Sequence, residues 1–131
     1  MEIAAWLHDL TKWERVKDHH ITAAKEAEKI LKKLNYSDDK IEKVKHCIIS
    51  HRGSQNIKRK TKEAECVASA DAIAHFDMIP SLYFIAYGIN KKNYTSGNEW
   101  VKNHLKESWE KLIPEAKKII KKKFDASQEI L

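Results

Sequence analysis

Turn-forming residues are the scarcest feature of this chain, with three glycines and two prolines among 131 residues. A many-stranded fold needs a steady supply of tight turns, so helices are expected instead. Long apolar runs are also missing. No stretch approaches the roughly 18 residues that a membrane span requires, and no signal peptide precedes the first helix, so a soluble, cytoplasmic protein with no membrane partner is expected. Cysteine is limited to Cys47 and Cys66, both in apolar helical contexts and without a CxxC spacing. Two buried thiols in a reducing compartment are a simpler reading than a disulfide. The chain also lacks internal repeats, a low-complexity tail and any glycine loop that would cradle phosphate.

Lysine, glutamate, alanine, leucine and isoleucine fill the chain instead, with 42% hydrophobic and 34% charged residues. This length and balance fit one domain over residues 1–131 with a real hydrophobic core. The formal net charge is +6. The lysines are scattered along most helical segments rather than held in a block, which suits a phosphorylated substrate as well as it suits nucleic acid.

The first nine residues, MEIAAWLHD, are the stretch around which the chain reads as organised. A short apolar helix ends on His8 and Asp9, adjacent residues that project about 100° apart and can share one divalent cation. The plainer reading is a capping aspartate beside a surface histidine. Trp13 is the expected packing anchor of the connector that follows. A helix over residues 18–34 then has Ala23, Ala24, Ala27, Ile30, Leu31 and Leu34 on one face, with His20 near the centre of that face and His19 at its edge. Core histidines and ligands are both open there.

Ser37 is the expected cap of a third helix, with Asp38 and Asp39 in its positive first turn. His51 continues the Ile41, Val44 and Ile48 stripe to the helix end, His46 faces away, and Gly53 is a stop signal. His51 and Arg52 at that end either meet a phosphate or answer the negative end of the helix dipole. The basic stretch 54–61 reads as a solvated loop or a lid. From Cys66 the next helix, over residues 62–79, is apolar on nearly every side, and a central buried helix is expected. Asp71 must then be paired or hold a cation, because a lone buried carboxylate is costly; His75, four residues on, shares its face. After Pro80 a short apolar core helix is expected. Ser96 and Glu99 read as a capping box for a helix to Leu112, with Val101, Leu105, Trp109 and Leu112 inward. Pro114 opens the last helix, which is expected to pack Ala116, Ile119, Ile120 and Phe124 while its lysines face water.

His8-Asp9, then His19-His20 at a helix start, His51 at a helix end and Asp71 in an apolar helix form an order that resembles the HD-domain metal-dependent phosphohydrolase superfamily. The stretches AAWLHDL, HCIISHRG and ECVASADAIAHFD are the closest to it. The resemblance implies an all-α, HD-domain-like bundle of six to seven helices. It implies that His8, Asp9 and Asp71 are metal ligands, and that one of His19 or His20, together with His51, binds a second metal or the scissile phosphate. Asp9, Asp71 and His51 are then the candidate catalytic residues, with His19 and His20 toward substrate; Arg52 is added to these as a phosphate contact from its place at the helix end, not from the resemblance. Histidine with aspartate suits Mn, Fe, Co, Ni, Zn or Mg. The activity expected is hydrolysis of a small phosphorylated substrate, either a phosphomonoester or a nucleotide. The alternative is a degenerate module of the same fold that binds an anionic partner such as nucleic acid. The family pattern begins with a further histidine on a helix upstream of the pair. An N-terminally shortened domain is therefore expected, with exposed apolar surface and either self-association as a homo-oligomer or marginal stability.

Overall fold

The structure is a computed structural model that describes residues 1–12, 18–52 and 57–130. Trp13, the expected anchor, and Gly53, the expected stop, lie outside the described residues. Among the described residues the protein is all-α, as the scarcity of turn formers requires. Seven helices run in the order α1 (Glu2–Leu7), α2 (His19–Lys33), α3 (Asp38–Ser50), α4 (Lys62–Asp77), α5 (Ile79–Tyr83), α6 (Tyr94–Lys111) and α7 (Pro114–Ile130), with a π-helical segment, Phe84–Ile89, after α5. Contacts group these into two compact units, Met1–Ala68 and Ser69–Leu131, with the boundary inside α4. No single described helix is long and apolar enough to cross a membrane.

The first unit is built on small side chains. Ala4 of α1, Ala23, Ala24 and Ala27 of α2, Cys47 and Ile48 of α3, and Ala64 and Val67 of α4 form one buried cluster, with Leu7, Val44 and Ile49 packed against it. Alanines on facing helices let the backbones approach closely, which draws α1 and the ends of α2 and α3 together. Leu31 and Ile41 are also buried, whereas Ile30 and Leu34 lie toward solvent at the margin of the α2 stripe.

Helix α2 stops because Asn35 takes a left-handed conformation, φ 56°, which asparagine tolerates better than most residues. The Tyr36 N–H then donates to the Leu31 carbonyl and the Asn35 N–H to that of Lys32, both at 3.0 Å, in a Schellman closure. Ser37 does occupy the cap of α3, with Asp38 and Asp39 in the first turn. On the solvent side Glu28 ties α2 to α3, accepting from Lys32 and Lys45 at 2.7 Å each.

Basic residues after the undescribed 53–56 are docked on α3. The Arg59 Nε–H donates to the Ser50 carbonyl at 3.3 Å, and the Lys60 N–H donates to His46 Nε2 at 3.0 Å. His46 is thus a tie for the chain entering α4. Thr61 starts that helix, its hydroxyl oxygen accepting from the Ala64 N–H.

The second unit has a separate core of larger side chains: Ala72 and Phe76 of α4, Leu82, Ala86, Val101, Leu105, Leu112, Ala116 and Ile120. Trp109 and Phe124 stack with centroids 3.9 Å apart. Four expectations change here. Cys66 is exposed, so only Cys47 is a buried thiol. Ala70 and Ala74 are exposed with it, leaving α4 one open face rather than burial all round. The cap of α6 is Asn93, whose side chain accepts from the Ser96 N–H at 2.9 Å, and so the helix begins at Tyr94, ahead of the expected Ser96 box. Ile119 faces solvent, because Ala116, Ile120 and Phe124 already complete the inward stripe of α7.

Two measurements check this packing. A Cβ added at Gly97 would lie 2.1 Å from Tyr87 Cε1, and the Tyr87 hydroxyl is held 2.9 Å from Asn98 Oδ1. Gly97→Ala is expected to lose about 1–3 kcal/mol in urea unfolding. Gly88→Ala meets only the Phe84 ring, at 3.1 Å, and that ring is 67% exposed and free to swing; it should lose clearly less. In the first unit, Lys32 and Lys45 hold the Glu28 carboxyl down to about 2 from an ordinary 4.5. With its folded value depressed, the contribution of Glu28 is present above pH 4.5 and lost as pH falls toward 2. Glu28→Gln is expected to flatten that acid limb in thermal melts.

Candidate metal centre

Helix α1 is capped at its C-terminus by His8, still in helical conformation. That places the imidazole over its own last turn, where His8 Nδ1 lies 2.7 Å from the Ala5 carbonyl. A carbonyl only accepts, so Nδ1 carries the proton and a neutral ring presents a lone pair on Nε2. His51 repeats the device at the end of α3. Its Nδ1 lies 2.5 Å from the Ile48 carbonyl and its ring is 3% exposed. The two rings meet edge to face with centroids 4.9 Å apart.

Between them lies the Asp9 carboxylate. His8 Nε2 is 3.5 Å from Oδ2 and His51 Nε2 is 3.8 Å from Oδ1. One ligand atom from each of the three residues falls within 4.8 Å of the others. Lys12 Nζ, 2.5 Å away, donates to Oδ2. Oδ1 is buried and accepts no hydrogen bond. A buried carboxylate oxygen facing imidazole lone pairs is costly unless a cation lies among them, so the donor set fits a divalent metal.

His19, the first residue of α2, comes to the same oxygen, with Nε2 3.5 Å from Asp9 Oδ1 and its ring centroid 6.1 Å from that of His51. Burial lowers its pKa from 6.5, aided by the charges of Arg52 and Lys12 and opposed by Asp9. A ring kept neutral is a better lone-pair donor than an imidazolium. His20 turns the other way. It is 3% exposed in the core face of α2, and its Nδ1 has no hydrogen-bond partner. Desolvation lowers its pKa too, with Arg52 adding to the effect and Asp18 opposing it. Of the two histidines the sequence left open, His20 lies in the core face of α2 and His19, at its edge, is the one that reaches Asp9. Arg52 is half-buried, with its charge felt at both rings.

Asp71 belongs to the second unit, where its Oδ2 accepts from Lys111 Nζ and its Oδ1 lies 3.9 Å from His75 Nε2. The Lys111 and Asp71 side chains are 8% and 14% exposed. This is the ion pair that the sequence left open as the alternative to a cation. His75 Nδ1 in turn lies 2.9 Å from the Ser108 hydroxyl, which donates to the His104 carbonyl.

Sequence reasoning missed Thr11. It is buried, 3.0 Å from the His19 carbonyl and 2.6 Å from the Thr22 hydroxyl. The available signal was a threonine two residues after Asp9, followed eleven residues later by another on the first turn of α2.

The family model described as HD domain matches residues 1–75, more than half of the chain. The match takes in His8, Asp9, His19, His20, His51, Arg52 and Asp71. No curated protein and no solved structure matches the chain.

The lowered His20 value gives a test independent of any metal. Its folded pKa lies below the ordinary 6.5, so the unfolded chain takes up the proton first and stability falls as pH drops below 6.5. His20→Leu should flatten the chemical-denaturation midpoint between pH 7 and pH 5 relative to the unmutated protein.

Proposed function

Because this chain belongs to the HD-domain family, we propose that it is a metal-dependent phosphohydrolase acting on a small phosphorylated substrate, a phosphomonoester or a nucleotide. The observation that carries this reading is the buried Asp9 Oδ1, which accepts no hydrogen bond and faces imidazole nitrogens. His8, Asp9 and His51 hold the cation. The resemblance adds Asp71, which carries its own test. A divalent cation at such a site lowers the pKa of a water and polarises a phosphoryl oxygen.

The chain's own residues supply the rest. The Ala5 and Ile48 carbonyls keep the His8 and His51 lone pairs on Nε2. Asp9 counters the positive charge of Lys12 and of the cation. Arg52 and His19 are the groups offered to phosphate oxygens, a guanidinium being suited to hold two at once. Charge developing on the phosphoryl group is then met by donors already in place. Buried His20 supports the start of α2 rather than touching substrate in this reading, a narrower role than the sequence allowed it.

The test is metal analysis of the purified protein together with a phosphatase screen across Mn, Co, Ni, Mg and Zn, run on the unmutated chain, Asp9→Asn and Asp71→Asn. Near-stoichiometric metal and turnover, both lost in Asp9→Asn, are expected. Loss of activity of at least about a hundredfold in Asp71→Asn would place it in the site. Unchanged metal content and rate would limit Asp71 to its Lys111 pair. Absence of metal with salt-sensitive binding to DNA or RNA would replace the enzyme with the anion-binding module.

A further inference from the structure

His19 and Asp9 come from different elements and yet meet at 3.5 Å. Asp9 lies in the turn that leaves α1, closed by the Lys12 N–H donating to its carbonyl at 2.9 Å. His19 opens α2 on the far side of residues 13–17. Something must fix the turn against the helix start for a carboxylate oxygen and an imidazole nitrogen to hold that separation, since a misplacement of about 1 Å is enough to weaken a ligand set.

The atoms that do this are the Thr11 and Thr22 hydroxyls. Thr11 Oγ1 is 2.6 Å from Thr22 Oγ1, and each lies 3.0 Å from the His19 carbonyl. Two hydroxyls own two protons, so among these three contacts one hydroxyl donates to the other and that one donates to the carbonyl. Either arrangement ties residue 11, two positions after the carboxylate, to the backbone of the residue that presents the imidazole. Thr11 is 4% exposed, so water does not compete for the bond and its loss is not repaired from solvent.

We infer that Thr11, through its contacts with Thr22 and the His19 carbonyl, is a positioning residue that fixes the Asp9 turn, and with it the Asp9 ligand oxygen, beside His19 and so tunes the cation site. The inference rests on the metal reading only for its consequence; the positioning itself is a property of the metal-free chain. Thr11 is not among the residues assigned to the cation. Its methyl and hydroxyl separate cleanly by substitution, because Thr11→Val keeps the shape and Thr11→Ser keeps the hydroxyl.

The experiment has two readouts on the full chain. In the metal-free protein, NMR reads the cross-relaxation between His19 and His51 ring protons, whose centroids are 6.1 Å apart. Absorption titration with Co²⁺ alone then reads affinity. The unmutated chain and Thr11→Ser should show the ring contact and the same affinity. Thr11→Val should stay folded by circular dichroism, lose or weaken the contact, and bind Co²⁺ about 10- to 100-fold more weakly. Should Thr11→Val unfold, Thr11→Ala is read in its place, since it removes the hydroxyl that reaches both Thr22 and the His19 carbonyl without adding bulk. Retention of both contact and affinity in the folded variant that lacks the hydroxyl overturns the inference. So does Thr11→Ser failing to restore them. If the unmutated chain binds no Co²⁺ while the ring contact still follows the hydroxyl, the positioning role stands and the metal reading falls.

Discussion

The candidate metal centre turns on one carboxylate oxygen that accepts no hydrogen bond, while the other oxygen of the same group is paired with Lys12. Asp9 Oδ1 is buried without a hydrogen bond, and the nearest groups, His19 Nε2 and His51 Nε2, sit beyond hydrogen-bond reach at 3.5 and 3.8 Å. A protein seldom keeps such an atom without a use, because an unmade bond of this kind costs about 1–3 kcal/mol and more for a charge. The cost is offset when a cation occupies the gap. The carbonyls of Ala5 and Ile48 prepare for it by committing the Nδ1 protons of His8 and His51, which leaves the Nε2 lone pairs for the site.

The surrounding architecture serves that arrangement. Alanines on α1 and α2, packed with Cys47 and Ile48 of α3, let the three helices come close, and two of the imidazoles near the carboxylate, His8 and His51, stand at helix C-termini. Helix ends suit this role because the last turn offers carbonyls without an intrahelical partner. The Glu28 link between α2 and α3 lies on the solvent side and is expendable at neutral pH only in degree. The threonine pair ties the Asp9 turn to the start of α2.

Much of this was legible in the residues. Period and capping signals located α2, α3, α6 and α7 to within a few positions, and the ordered His-Asp-His-Asp set pointed to the family before any coordinates. His51 was readable as a helix-end histidine because it continues the Ile41 and Ile48 stripe. Other features were not. A composition apolar on every side cannot reveal that one face of α4 stays open at Cys66, Ala70 and Ala74, since alanine carries little information about burial. The choice between His19 and His20 turned on how the Asp9 turn meets α2, a contact between segments distant in the chain. The Asn93 cap was hidden by a better-known pattern three residues later, and the lysine that pairs with Asp71 lies forty residues on, at Lys111.

Anomalous diffraction from crystals grown with Mn²⁺ or Co²⁺ tests the central claim most directly. The account predicts a peak within coordination distance of His8 Nε2, an Asp9 carboxylate oxygen and His51 Nε2, with Lys12 either displaced from Asp9 or kept on Oδ2 while Oδ1 takes the metal. No peak there at millimolar metal, with Asp9 Oδ1 instead hydrogen-bonded to a protonated imidazole, would contradict it.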